Sequence, residues 1–99
     1  MITRLVKLTF RLGEENNFSA IFENSKQKIR GFEGCVHLSV LQSKLEPSTF
    51  FTLSKWESDA HLESYRKSKL FKETWAKTKI LFAKPAEAWT CEEEEVVPA

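Results

Sequence analysis

The sequence predicts one α+β domain whose elements follow the order β-α-β-β-α-β. Three observations support this prediction. Apolar residues alternate with polar ones near the start of the chain, and they recur at helical spacing in two longer segments. The stretch Phe50 to Phe71 changes from the first period to the second, so a strand is expected to run directly into a helix there.

The first predicted strand runs from Ile2 to Arg11, where apolar and polar side chains alternate until Gly13. A helix is expected from about Asn17, because apolar residues then recur every three or four positions. Gly31 is predicted to end this helix in a left-handed conformation, with basic side chains near the negative end of the helix dipole.

Two predicted strands follow and are expected to form a hairpin. The segment Cys35 to Leu45 alternates, and Glu46-Pro47-Ser48 is typical of a turn that leads into a strand from Thr49 to Glu57. In the third strand, the alternation places Phe50, Thr52, Ser54 and Trp56 on one side.

The second helix is predicted to run from Asp59 to Phe82, with an irregularity near Ser68, where the apolar spacing slips. Ser58 is a good N-cap because its hydroxyl can accept a free backbone N–H. Pro85 lies beyond the predicted end of the helix. A short fourth strand is expected over residues 86–92, so residues 1–92 form the predicted domain and 93–99 an acidic tail.

This element order is the ferredoxin-like plan, a four-stranded antiparallel sheet with both helices on one face. Leu5, Phe51 and Leu53 are predicted to point away from the helices, which leaves apolar groups on the other face. An exposed apolar face of this kind is an expected association surface. A symmetric homodimer that packs two such sheets together would form a dimeric α+β barrel.

Composition limits the functions that the chain can be expected to have. The 99 residues carry a formal net charge of +1, so no overall field would attract nucleic acid or an anionic membrane. No apolar run approaches the roughly 20 residues that span a bilayer. The cysteines Cys35 and Cys91 have no metal-ligand spacing, and with no signal peptide evident they favour a reducing, cytoplasmic location.

Three segments carry a resemblance to a known family. They are GFEGC at Gly31 to Cys35, SKWESDAHL from Ser54 to Leu62, and SKLF from Ser68 to Phe71. With the strand order, they make the chain resemble the antibiotic biosynthesis monooxygenase (ABM) family of dimeric α+β barrels over roughly residues 2–91. The resemblance implies a homodimer with one pocket per subunit between sheet and helices.

The resemblance also implies a reaction, which is the oxygenation of a small aromatic or quinol-like compound without flavin, haem or metal. Some members of this superfamily instead degrade haem, with an axial histidine on the second helix and an asparagine on the first strand. The corresponding positions here hold Trp75 and Val6, and an indole N–H is only a donor. Haem degradation by that route is therefore not expected.

Cofactor-free oxygenation requires a dry pocket, a substrate that can lose a proton, and donors for the resulting oxyanion. The predicted catalytic residues are Trp56 and Tyr65 as hydrogen-bond donors and His37 as a proton acceptor. The predicted ligand-binding residues are Arg4, Val6, Phe71, Trp75 and Trp89. An inward Arg4 would favour an acidic or phenolate ligand.

Each of these residues also has an ordinary structural interpretation. Trp56, Tyr65, Trp75 and Trp89 could be packing groups that fill the pocket. His37 could face the dimer seam, and Arg4 could reach solvent at the start of its strand. A second function therefore stays open, that of a non-catalytic or stress-related dimer that binds a small molecule in the same pocket.

Overall fold

The computed structural model describes all 99 residues, which form four strands and three helices. The elements are β1 (Ile2–Thr9), α1 (Glu15–Arg30), β2 (Cys35–Gln42), β3 (Thr49–Trp56), α2 (Asp59–Arg66), α3 (Lys69–Lys79) and β4 (Glu87–Glu92). The strands form one antiparallel sheet in the order β2-β3-β1-β4. The predicted ferredoxin-like α+β fold is confirmed.

The main core lies between the sheet and the helices and consists largely of phenylalanine. Its buried members are Leu8, Phe10, Phe18, Phe50 and Leu81. The Phe10 ring stacks on Phe18 with a centroid distance of 4.7 Å and meets Phe50 edge to face at 5.6 Å. Because alternate strand residues share a face, this core places the even-numbered residues of β1 and β3 toward the helices.

The end of α1 differs from the prediction for Gly31. Gly31 has a φ of −84°, so it is not left-handed. The left-handed residue is Gly34, with a φ of +87°, in a turn that the Cys35 N–H closes on the Phe32 carbonyl at 2.9 Å. A positive φ at the third residue of a four-residue turn favours glycine, so the conformational demand falls three residues later than predicted.

Ser58 begins α2 as predicted, and its surroundings connect this helix to the loop before β2. The Ser58 hydroxyl accepts the backbone N–H of His61 at 3.2 Å, and the two side chains meet at 2.7 Å between Oγ and Nδ1. The His61 ring lies so close to Gly34 that a Cβ at that glycine would overlap it. A side chain at position 34 is therefore disfavoured for two reasons, the positive φ and the contact with the His61 ring.

The predicted second helix is two helices, α2 and α3, that meet at Lys67 and Ser68. The Ser68 hydroxyl donates to the Tyr65 carbonyl at 2.6 Å and accepts the Phe71 N–H at 3.1 Å. The same side chain thus ends α2 and caps α3, which explains the slip in apolar spacing. α3 ends at Lys79, three residues before the predicted helix end at Phe82.

The sheet face away from the helices carries apolar side chains, as predicted for Leu5, Phe51 and Leu53. Register pairs Leu5 with Leu53 on one side and with Trp89 on the other, and it pairs Phe51 with Leu41. Trp89 and Leu41 are 45% and 49% exposed. We call these five residues the open face.

Two further observations concern the C-terminal residues and the character of the helices. Residues 93–99 have no regular secondary structure. No helix combines the length and the apolar character that crossing a membrane requires.

Candidate functional site

A cavity of about 280 Å³ lies between the sheet and the helices, and all three helices contribute to its walls. Most of its lining is apolar; examples are Val6, Leu8, Phe22, Leu38, Leu62, Phe71 and Trp75. Ala88 on β4 and Ala86 just before it form another part of the wall, and their small side chains leave space. Typical pockets for small organic ligands begin at about 300 Å³, so the cavity suits one compact molecule.

A few polar groups interrupt this apolar lining. The charged or titratable ones are Arg4 on β1 and Tyr65 and Arg66 on α2, and hydroxyl groups include Ser54 on β3. No histidine, aspartate, glutamate or lysine lines the cavity. The cavity therefore offers hydrogen-bond donors and positive charge, but no side chain with the ordinary pKa of a general base.

Trp56 lies behind the wall of the cavity and does not line it. Its side chain is 0% exposed and packs with Cys35 and Leu62, and it is not among the lining residues. Its indole N–H donates to the Ser54 hydroxyl oxygen at 2.9 Å. The single indole N–H of Trp56, predicted to act as a donor, is thus already paired with Ser54, and a role of Trp56 toward a ligand stays a prediction.

The Trp56–Ser54 hydrogen bond leaves Ser54 suited to donate. A hydroxyl has one donor and two acceptor sites, and here one acceptor site is filled by the indole N–H. The Ser54 proton is free of any partner within the chain, and the residue lines the cavity. Trp56 is thus a positioning residue for a donor that sequence reasoning did not select.

Tyr65 lies in the cavity wall, as predicted, among aromatic neighbours. Its ring stacks on Trp56 with a centroid distance of 4.9 Å and meets Phe32 and Phe71 edge to face at 5.5 Å and 5.3 Å. Burial, together with the smaller effect of the neighbouring Cys35, raises the pKa of Tyr65 to about 12. Near neutral pH the side chain is therefore a phenol that donates a proton in a hydrogen bond.

Tyr65 is the only tyrosine in the chain, so its ionisation can be measured without overlap from another phenol. We expect an absorbance titration of tyrosinate to have its midpoint near pH 12, about two units above the value of a free tyrosine. Between about pH 10 and 12 the Tyr65 phenol keeps its proton in the folded protein, whereas it loses that proton in the unfolded chain. The free energy of unfolding should therefore fall as pH rises through this range. A midpoint near 10 in the folded protein would contradict the burial.

Arg4 points into the cavity from β1 and is partly buried. Its guanidinium donates to the Thr90 hydroxyl at 2.7 Å, and no carboxylate lies within ion-pair distance. Burial lowers the pKa of Arg4, the neighbouring Arg66 lowers it further, and Glu63 opposes both effects. Arg4 therefore lines the cavity although its hydrogen bond to Thr90 is exposed, and its role toward a ligand stays a prediction.

The aromatic residues Phe71 and Trp75 line one wall of the cavity, as does Val6 on the sheet. Phe71 and Trp75 are nearly parallel, with a centroid distance of 5.8 Å and an interplanar angle of 10°. These three predicted ligand-binding residues therefore lie together with Arg4 and Tyr65. Their roles toward a ligand stay predictions.

Two predicted site residues lie outside the cavity. His37 is exposed on β2, where its Nε2 contacts the Ser39 hydroxyl at 3.1 Å on the open-face side of the sheet. Trp89 pairs with Leu5 and belongs to the open face. Trp89 lies there because successive strand residues point to opposite faces, so that Ala88 faces the cavity and Trp89 faces away from it.

Strict alternation along β2 predicts Cys35 and His37 on the same side, but a bulge between them shifts the register. Cys35 is buried, its thiol contacts the His37 carbonyl at 3.6 Å, and burial raises its pKa. A thiol in this state is a poor nucleophile. No group of three His, Cys, Asp or Glu side chains is placed to hold a metal ion.

Sequence reasoning missed several polar residues of the cavity, among them Ser54 and Arg66. Both carried a usable signal. Ser54 shares strand parity with Thr52 and Trp56, and Arg66 directly follows Tyr65 in the helical pattern. The periodic pattern indicates the element in which each residue lies, but it does not identify either side chain as a hydrogen-bond donor to the cavity.

Comparisons with known proteins agree with this architecture. The sequence model of the family described as antibiotic biosynthesis monooxygenase matches residues 1–77. No protein with a curated description matches the sequence.

Solved structures from several organisms have the same fold. A candidate antibiotic biosynthesis monooxygenase from Deinococcus radiodurans superposes with a TM-score of 0.90 at 14% identity, covering 100% of this chain and 98% of that one. A conserved protein from Methanosarcina mazei gives 0.88 at 20% identity, covering 95% and 94%. SnoaB, a cofactor-independent oxygenase from Streptomyces nogalater, gives 0.88 at 13% identity, covering 99% and 97%.

At these identities the structural likeness establishes the fold alone, whereas the family match extends over most of the sequence. The cavity that separates sheet from helices lies largely within the matched residues. The chain belongs to the antibiotic biosynthesis monooxygenase family.

Proposed function

We propose that the protein is a cofactor-independent monooxygenase that oxidises a small aromatic or quinol-like compound in the cavity. The observation that carries this proposal is an apolar, partly enclosed space with two uncommitted hydroxyl donors, Ser54 and Tyr65, and a guanidinium, Arg4, on its walls. Such a space excludes water while offering donors to a developing oxyanion. Family membership and the description of SnoaB are consistent with this chemistry.

The proposed reaction needs no external reductant. A phenol-type substrate loses its proton, and the phenolate transfers one electron to dioxygen. Recombination of the substrate radical with superoxide forms a carbon–oxygen bond and, after protonation, a hydroperoxide. Loss of water breaks the oxygen–oxygen bond and leaves a quinone. The substrate gains one oxygen atom and loses two hydrogens, and the second oxygen atom leaves as water.

Each cavity group has a proposed role in this sequence. Ser54 and Tyr65 donate to the phenolate oxygen, and Tyr65 stays protonated because its pKa is about 12. Arg4 supplies positive charge that favours the anionic form of the substrate. Phe71 and Trp75 hold the aromatic ring by apolar contact. No carboxylate or imidazole takes the proton, so the proton leaves to solvent at the mouth of the cavity.

We also propose that the protein is a homodimer. The open face exposes a tryptophan and several aliphatic side chains on the sheet face that no helix covers. A second copy related by a two-fold axis covers this face with the same surface and forms the α+β barrel. The cavities lie on the opposite side of each sheet, so each subunit keeps its own site.

The oxygenase proposal is tested with a naphthol or naphthoquinol in air, with oxygen uptake and product mass as readouts. We expect a product with one added oxygen and two fewer hydrogens, and incorporation of label from isotopically heavy dioxygen. Ser54→Ala and Tyr65→Phe should each lower kcat by about 10- to 100-fold, because each removes an oxyanion donor. Ser64→Ala, on the exposed side of α2, is the matched control and should change nothing.

Autoxidation of quinols in air is the competing explanation of any turnover. A rate that equals the protein-free rate, or one that Ser54→Ala and Tyr65→Phe leave unchanged, would overturn the proposed site. A rate that survives removal of metals with a chelator is the expected result.

One observation favours the second function, a non-catalytic binding protein. The cavity contains no histidine, aspartate or glutamate, so it lacks the acid and base that many enzymes use. A protein that only binds would return its aromatic ligand chemically unchanged after incubation in air. Mass analysis of the recovered ligand therefore separates the two functions.

A further inference from the structure

The cavity contains two guanidinium groups from different elements. Arg4 reaches it from β1 and Arg66 from the last turn of α2. Neither faces a carboxylate inside the cavity, because no Asp or Glu lines it. Two like charges that reach one partly apolar cavity repel each other, and an anion between them would offset that repulsion.

The present partners of these arginines are weak competitors for an anion. Arg4 donates to the neutral Thr90 hydroxyl at 2.7 Å, on the edge strand. Arg66 pairs with Glu63 at 3.0 Å in an exposed arrangement one helical turn apart, with side chains 41% and 49% exposed. Exposed pairs of this kind contribute little and exchange partners readily. Both guanidinium groups are therefore available to a ligand.

The remaining walls indicate what the rest of that ligand must be. Beyond the arginines the lining is aromatic and aliphatic, with the parallel pair Phe71 and Trp75 on α3. Guanidinium groups are planar donors that match the planar oxygen pair of a carboxylate. The volume of about 280 Å³ limits the occupant to a compact molecule.

We propose that the cavity selects an aromatic carboxylate, whose carboxylate lies between Arg4 and Arg66 and whose ring lies against Phe71 and Trp75. This rests on the proposed function for the site itself and adds the class of substrate, a hydroxylated aromatic acid. In this orientation the acid group occupies the arginine end. Ser54 and Tyr65 are left to donate to a phenolic oxygen.

Glu63 has a predictable effect in this arrangement. It lies beside the arginine pair, where it holds Arg66 and opposes the lowering of the Arg4 pKa. Because its carboxylate competes with that of the ligand, its removal should strengthen ligand binding. A substitution can weaken binding simply by disturbing the fold, so a substitution that strengthens binding is more specific evidence for the site.

The experiment is calorimetric binding of a naphthalene carboxylate and of the matching naphthalene carboxamide, which has the same shape without the charge. We expect the carboxylate to bind about tenfold or more tightly than the amide. Arg4→Gln should abolish this preference and Arg66→Gln should reduce it, whereas Glu63→Gln should increase it. Lys67→Gln is the charge-matched control, since Lys67 adjoins Arg66 but does not line the cavity.

The outcomes separate this proposal from the proposed reaction. Equal binding of acid and amide, or a preference that both arginine substitutions leave intact, would overturn the carboxylate site even if naphthols are oxidised. A carboxylate preference that disappears in the arginine variants supports the site even if no oxygen is consumed. Circular dichroism confirms that each variant is folded, and Arg66→Gln, on the surface, keeps the test valid if Arg4→Gln misfolds.

Discussion

Replacing Trp56 by alanine is expected to lower the free energy of unfolding by about 3–5 kcal/mol. The indole is 0% exposed, stacks on Tyr65 at 4.9 Å and meets Phe32 edge to face. Its loss leaves a cavity between β3 and α2 and removes the partner of Ser54. Since small domains have only about 5–15 kcal/mol of stability, this is a large share of the total.

Denaturant unfolding at fixed protein concentration measures the effect, because the proposed dimer would make apparent stability depend on concentration. Trp56→Phe is the matched control. It keeps most of the aromatic packing and loses the indole N–H, so it should cost less than half as much stability while still releasing Ser54. A loss below about 1 kcal/mol for Trp56→Ala would mean that the residue is not the centre of this part of the core.

Replacing Leu53 by lysine is expected to convert the proposed dimer to monomers at micromolar concentration. Leu53 lies in the middle of the open face, between Leu5 and Ser39. A two-fold interface uses the same patch twice, so each dimer loses two buried leucines and gains two buried charges. At about 1.5–3 kcal/mol for each leucine side chain, the dimer should weaken by at least a hundredfold.

Sedimentation velocity measures this change directly. The fold should persist, because position 53 points away from the core and a lysine there reaches solvent in the monomer. Ser64→Lys adds the same charge to the exposed face of α2 and should leave the dimer intact. A wild-type monomer at micromolar concentration would refute the proposed dimer, and a Leu53→Lys variant that stays dimeric would refute this interface.

Strand parity is the part of the structure that could be predicted from the sequence. Period-two patterns placed Thr52, Ser54 and Trp56 toward the helices and Leu5 and Leu53 away from them, and the sheet has these faces. The start of α2 at Ser58 was equally readable, because N-cap chemistry is local. Both predictions depend only on residues close in sequence.

Features that depend on one extra residue or on contacts distant in sequence could not be predicted. The bulge before His37 reverses the side on which Cys35 lies, and no residue type marks it. The position of Trp89 depends on the register between β4 and β1, whose sequences are far apart. The use of the Trp56 N–H by Ser54 required a side-chain direction that alternation alone does not supply.

The division of one expected helix into α2 and α3 has a consequence for motion. Ser68 bonds to both helices, yet no continuous ladder of backbone hydrogen bonds passes through the joint. α2 carries Tyr65 and Arg66, and α3 carries Phe71 and Trp75. Side-chain contacts, and not a backbone ladder, therefore join the two helices, and we expect any movement of α2 relative to α3 to occur at Lys67 and Ser68.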